Sequence, residues 1–172
     1  AIKQRVTIPH TWNAQDAFDD EPGYWRGKGY YFKKITIADL KKDYFLHFNG
    51  VNQVTKVWVN NQFAGEHKGG YTAFDINITS FLIKGVNSLK VQVDNSYNGT
   101  IPPLDADFTF YGGIYRKVYL RAENQTYFKK EYGADAIKID ALLDDNFNGK
   151  LKISGNIINK NGERINFRNR QF

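Results

Sequence analysis

Leu89, Val91 and Val93 alternate with Lys90, Gln92 and Asp94. This two-residue period constrains the fold more than any other feature, because it fits a half-buried strand and no helix. Similar short runs surround it. Val57-Trp58-Val59 is followed by Asn60-Asn61 and then Gln62-Phe63-Ala64-Gly65, which predicts a hairpin turned by two asparagines that tolerate positive φ. Residues 45–48 and 117–121 predict further strands. Only residues 38–42 and 78–82 suit a helical turn, and both are too short to stand as helices. The expected class is all-β, because many short strands separated by Gly, Asn and Asp turns build an antiparallel β-sandwich.

Composition bounds the rest. A chain of 172 residues, 41% hydrophobic and 24% charged, fills one good domain and part of another. Eleven Tyr and thirteen Phe favour strands and surfaces that stack on ligands. The formal charge is +6, but the basic residues are scattered as Lys33-Lys34, Lys41-Lys42, Lys129-Lys130 and Arg164, Arg168 and Arg170, which reads as solvated faces. No helix-turn-helix, RNP-like or zinc-finger spacing accompanies them, so no nucleic-acid partner is expected. With no Cys, disulfides, thiolate metal sites and cysteine catalysis are excluded. No apolar run approaches the roughly 20 residues that cross a bilayer, and no signal peptide is visible, so the expectation is a soluble chain without a membrane partner. His10, His47 and His67 lack metal-ligand spacing; His10 is read as a turn residue and His67 as a surface one.

The densest functional signal is Asp107-Phe108-Thr109-Phe110-Tyr111-Gly112-Gly113-Ile114-Tyr115-Arg116. Paired glycines permit a tight turn or a close backbone approach, and aromatic faces beside a carboxylate suit a sugar. The same residues also allow a plainer reading, with Asp107 capping a turn and Tyr111 and Tyr115 closing one end of a sandwich. Arg116 is expected to pin the turn through backbone carbonyls or a nearby acid, the task its planar donor fork suits.

This decade occurs with two companions. One is Val6-Thr7-Ile8-Pro9-His10-Thr11-Trp12-Asn13, followed after an acidic loop by Gly23-Tyr24-Trp25-Arg26-Gly27-Lys28-Gly29-Tyr30-Tyr31. The other is Phe48-Asn49-Gly50-Val51, Val57-Trp58-Val59-Asn60-Asn61 and Gly65-Glu66-His67-Lys68-Gly69-Gly70-Tyr71-Thr72-Ala73-Phe74. Together the three segments resemble the N-terminal sugar-binding domain of family 2 glycoside hydrolases, most closely the β-galactosidases, over about residues 5–122. The resemblance implies a galactose-binding-like jelly roll over residues 1–122, with an upstream strand missing and residues 6–9 as its opening strand. A linker and the incomplete start of an immunoglobulin-like sandwich follow over 123–172. There, 136–141 and 151–158 read as strands, Asn159-Lys160-Asn161-Gly162 as a turn and 164–167 as a return strand. Since the chain starts at Ala1 rather than Met, the resemblance favours a piece of a longer protein.

What it implies for chemistry is a substrate wall rather than a catalyst. Retaining glycoside hydrolysis needs two carboxyl groups about 5 Å apart. In the family both belong to a (β/α)8 barrel that this chain lacks, so no catalytic residue is expected here. By the same resemblance Asp107 accepts hydrogen bonds from hydroxyls of the terminal sugar, and Trp25 and Arg26 project toward the same mouth. Asn95 either orients the Asp107 loop at the sugar or merely ends its strand. No cofactor or metal is expected in this chain. Some relatives hold an alkali-metal ion at the matching acid, where Asp105 and Asp107 stand, with barrel ligands completing the site, and the parent could use Mg or Na ions. The implied partner is a β-galactoside shared with the barrel, in a parent that is a homo-oligomer of the bacterial cytoplasm or periplasm. Competing readings are an autonomous carbohydrate-binding module and a purely structural domain of a β-glucuronidase or β-mannosidase.

Overall fold

The computed structural model describes residues 3–16, 18, 23–145 and 147–160. The acidic residues Asp19, Asp20 and Glu21, the turn completed by Asn161-Gly162 and the return strand expected over 164–167 lie outside the described residues. The first seven strands are β1 (Lys28–Ile37), β2 (Asp43–Phe48), β3 (Val54–Val59), β4 (Gln62–Lys68), β5 (Phe74–Asn77), β6 (Gly85–Asp94) and β7 (Val118–Glu123). They form two antiparallel sheets, one ordered β1-β6-β3-β4 and the other β5-β2-β7. The protein is all-β, as the alternation predicts.

The core lies between these sheets. Val57, Val59, Leu89, Val91 and Val93 face Tyr44, Leu46, Phe48, Phe74 and Ile76, and Phe48 stacks on Phe74 with ring centroids 4.8 Å apart. Each such side chain taken fully out of water contributes about 1.5–3 kcal/mol. The predicted hairpin joins β3 to β4, with Asn60 at φ 50° and Asn61 at φ 65°, the mirror-image turn that matches strand twist. The only helical turn among the described residues is a short 3-10 turn at Thr79–Phe81. Residues 38–42 form a plain turn instead, held by Asp39 Oδ1 accepting from Lys41 N. Residues 6–9 join no strand, contrary to the opening strand implied for them. The segment docks at its end, where His10 N donates to Ile114 O at 2.8 Å.

β2 is buried on both faces. Tyr44, Leu46 and Phe48 point into the core, while Asp43, Phe45 and His47 lie on the opposite face, where Asp43 and Phe45 are met by the next part of the chain. That part contains β8 (Thr126–Phe128), β9 (Lys130–Glu131), β10 (Ala134–Asp135), β11 (Ile137–Leu143), β12 (Gly149–Gly155) and β13 (Ile157–Asn159), paired as β13-β8, β10-β9 and β11-β12. Tyr127 meets Phe45 edge to face at 6.0 Å and donates to Asp43 Oδ2 at 2.7 Å, while Lys160 Nζ lies 2.6 Å from the same carboxylate. Burial pushes the Asp43 carboxyl up, but the hydrogen bonds from Lys160 and Tyr127 and the lysine charge outweigh it and hold the group below its usual range. His47 sits between Asp75 Oδ1 at 2.9 Å and Asn49 Oδ1 at 2.8 Å.

His67 on β4 is half-buried rather than a surface residue. Its ring stacks on Phe74 at 3.9 Å and 9°, and its Nε2 is buried without a hydrogen-bond partner. Burial lowers its pKa from the ordinary 6.5, so the folded chain keeps the ring neutral while the unfolded chain takes up a proton first as pH falls. Stability from this group is therefore full above that value and is lost as pH drops below it. His67→Phe keeps the stack and removes the proton uptake. It is expected to flatten the loss of urea stability between about pH 7 and about pH 5; a slope equal to that of the unmodified chain would refute this. Burial lowers His10 in the same direction, so part of the slope stays.

Candidate functional site

The Gly112-Gly113 turn is the keystone of one end of the sandwich. Gly113 has φ +119°, and a Cβ there would stand 2.6 Å from His10 O; one on Gly112 would stand 2.4 Å from the Trp12 ring. Only glycine lets the turn lie this close to the 10–13 segment. Two buried asparagines fix it. Asn13 Oδ1 accepts from Gly112 N at 2.6 Å, while Asn13 Nδ2 donates to Asp16 Oδ2 at 2.7 Å and to Trp25 O at 2.8 Å. Asn95 Oδ1 accepts from Gly27 N at 2.8 Å, and Asn95 Nδ2 lies 3.4 Å from Phe110 O and from Asn13 Oδ1. Both asparagines are 0% exposed.

Three more groups tie the turn down. Asn52 Nδ2 donates to Tyr111 O at 3.1 Å, and the Asn52 backbone bridges Gly113. Tyr31 OH accepts from Ile114 N at 3.3 Å and lies 2.9 Å from His10 Nδ1. Burial raises the phenol and lowers the imidazole, so both stay neutral and the phenol proton can point to the ring nitrogen. Tyr115 OH donates to Gly70 O at 2.6 Å, which brings the 69–73 turn into the cluster.

Above this base an aromatic and charged surface opens to solvent. The Arg26 guanidinium lies 4.8 Å from the Tyr24 ring centroid and 5.3 Å from that of Phe110, held between two faces, and it donates to Tyr24 OH. Phe108 packs against Phe110 at 5.2 Å and meets Tyr71 edge to face at 6.3 Å. Asp107 stands exposed next to Phe108 and makes no hydrogen bond or ion pair among the described residues. A free carboxylate, a guanidinium with a fixed plane and several ring faces are the parts that hold a polyhydroxylated ring.

The structure brings Asp107, Arg26 and Trp25 to one end of the sandwich and separates their roles. Trp25 is 53% exposed and leans edge-on against Trp12 at 5.5 Å, with its backbone N donating to Asp16 Oδ2 at 2.8 Å. Asn95 is closed off beneath the loops, so it acts on backbone and reaches no solvent. Arg116 does not pin the turn: it is exposed, with its guanidinium 5.5 Å from the Tyr115 ring centroid, and makes no hydrogen bond among the described residues. Asn13, Asn52 and Tyr31 do that work instead. Among the described residues no cluster of three or more His, Asp or Glu could hold a metal ion, and no helix is long and apolar enough to cross a membrane.

The family profile for glycosyl hydrolases family 2, sugar binding domain, matches residues 1–123. A β-glucuronidase of Bacteroides fragilis is 45% identical over 126 residues, which cover 72% of this chain and 18% of that enzyme. A β-galactosidase of Thermoanaerobacter pseudethanolicus is 39% identical over 132 residues, covering 73% of this chain and 17% of that one. The crystal structure of a β-glucuronidase from Bacteroides uniformis superimposes with a TM-score of 0.82 at 36% identity, over 90% of this chain and 18% of the other. The chain thus spans about a fifth of the length of the relatives it matches.

Proposed function

The chain belongs to glycosyl hydrolase family 2, with its sugar-binding domain at residues 1–123, and from that premise we propose that it forms one wall of the substrate site of a parent glycosidase. The observation that carries this is the placement of Asp107: a partner-free carboxylate on an exposed loop whose base is clamped by buried Asn13 and Asn95. A clamped loop presents its acceptor in one place, and a charged acceptor can take two neighbouring hydroxyls of a terminal sugar. Arg26, braced between Tyr24 and Phe110, supplies donors on the same aromatic surface. Bond cleavage belongs to two carboxyl groups contributed from outside this chain.

The parent is a β-glycosidase, and its substrate is a terminal β-D-glucuronide. Support comes from the greater identity to the B. fragilis β-glucuronidase than to the T. pseudethanolicus β-galactosidase. A second reading, a terminal β-D-galactoside, is supported by that β-galactosidase and by the resemblance carried in part by Gly69-Gly70-Tyr71-Thr72-Ala73-Phe74. Turnover of 4-nitrophenyl β-D-glucuronide by the full-length enzyme should exceed that of the β-D-galactoside by at least about tenfold in kcat/KM, a difference of about 1.4 kcal/mol. Equal or faster turnover of the galactoside overturns the first reading in favour of the second.

A further inference from the structure

We propose that the outer face of the β1-β6-β3-β4 sheet is a glycan-binding surface for an acidic, extended polysaccharide. The register places Phe32 on β1 opposite Lys90 on β6, Lys90 opposite Trp58 on β3, and Trp58 opposite Phe63 on β4. One straight row therefore crosses all four strands. Phe32 is 72% exposed and Phe63 53%, and Phe63 meets Trp58 edge to face at 5.7 Å. Their neighbours on the same strands, Val57, Val59, Leu89 and Val91, are buried in the core, so the row is not the underside of a packing layer. It is a line of rings directed away from the fold.

Spacing and chemistry select the occupant. Neighbouring strands lie about 4.8 Å apart, close to the repeat of one pyranose unit in an extended β-linked chain, so a glycan laid across the strands meets a new side chain at each sugar. Alongside runs a polar row, Tyr30, Gln92, Lys56 and Glu66, in which Gln92 Nε2 donates to Tyr30 OH at 2.7 Å. Ring faces flanked by donors and acceptors match the apolar face and hydroxyl rim of a sugar.

The charge on this face favours an anionic chain. Lys28, Lys34, Lys56, Lys68 and Lys90 point outward, against Asp94 and Glu66. Asp94 is matched to Lys28 at 4.0 Å, and Glu66 is shared by Lys56 at 3.2 Å and Lys68 at 3.4 Å. Lys90 Nζ lies over the Trp58 ring at 4.0 Å from its centroid, in position to meet the carboxylate of a uronate stacked on Phe32. A contact with a second copy of the chain fits less well, because the centres of protein interfaces are depleted in lysine and two positive faces repel.

The test is electrophoresis of the full-length protein through native gels containing polymannuronate, a β-1,4-linked polyuronate, or, as the neutral control, β-1,4-galactan. Retardation by polymannuronate is expected, weakened severalfold by Phe32→Ala and by Phe63→Ala and kept by Phe32→Tyr, with hydrolysis of a small aryl glycoside unchanged in all three. The proposal is overturned by an unretarded wild-type protein. It is also overturned by retardation that survives both alanine variants, which reports charge alone. A third adverse result is a fall in oligomer mass in Phe32→Ala with retardation intact, since that makes the face a contact between copies.

Discussion

Replacing Asp107 with alanine in the full-length protein is expected to lower kcat/KM for the proposed glycoside by roughly tenfold to a thousandfold. That is the scale of one or two hydrogen bonds to a charged acceptor at about 1.5–3 kcal/mol each. The structure adds a control to this prediction. Because Asp107 is exposed and makes no hydrogen bond or ion pair among the described residues, its removal costs the fold almost nothing, and the unfolding free energy should change by less than about 1 kcal/mol. Asp107→Asn keeps the shape and one acceptor oxygen and should fall between the two. An unchanged kcat/KM in Asp107→Ala would make the domain structural rather than a substrate wall.

Asn13→Ala is expected to act the other way round, through the fold first. It leaves the buried Gly112 N–H without its acceptor and Asp16 without its closest donor. Together these losses amount to about 3–5 kcal/mol, near the upper end for a single substitution. The urea midpoint should fall accordingly, and in any folded fraction KM should rise because the Asp107 loop has lost its base. Asn13→Asp restores the acceptor for Gly112 but sets a carboxylate against Asp16; adding Asp16→Asn to that variant should recover part of the loss. A cost below about 1 kcal/mol for Asn13→Ala would show that the other ties hold the turn unaided.

The contrast between these residues shows how far the amino-acid sequence alone could be read. β6 and the Asn60-Asn61 hairpin were legible because period-two alternation and turn chemistry act over a few neighbouring positions. The Asp107 loop was legible because its glycines and aromatics are concentrated in one decade. Asn13 was not, since its bond to Gly112 spans 99 positions and its bond to Trp25 spans 12, and nothing local distinguishes it from a surface asparagine. Arg116 was misplaced for the same reason: a planar donor beside a glycine turn suits the pinning role locally, but the buried positions under the turn were filled from elsewhere in the chain. The two-sided burial of β2 was equally hidden, because Tyr127 and Lys160, which cover it, lie 84 and 117 positions beyond Asp43 along the chain.

That covering has a consequence for how the chain can be divided. The family profile ends at residue 123, just before the strand that carries Tyr127. Cutting there would strip Tyr127 from Phe45 and leave Asp43 as a sheltered carboxylate without Lys160 or the phenol. The sandwich is therefore not a portable cassette. A graft that carries the Asp107 loop to another scaffold has to bring the strands from Thr126 to Lys160 along as its roof.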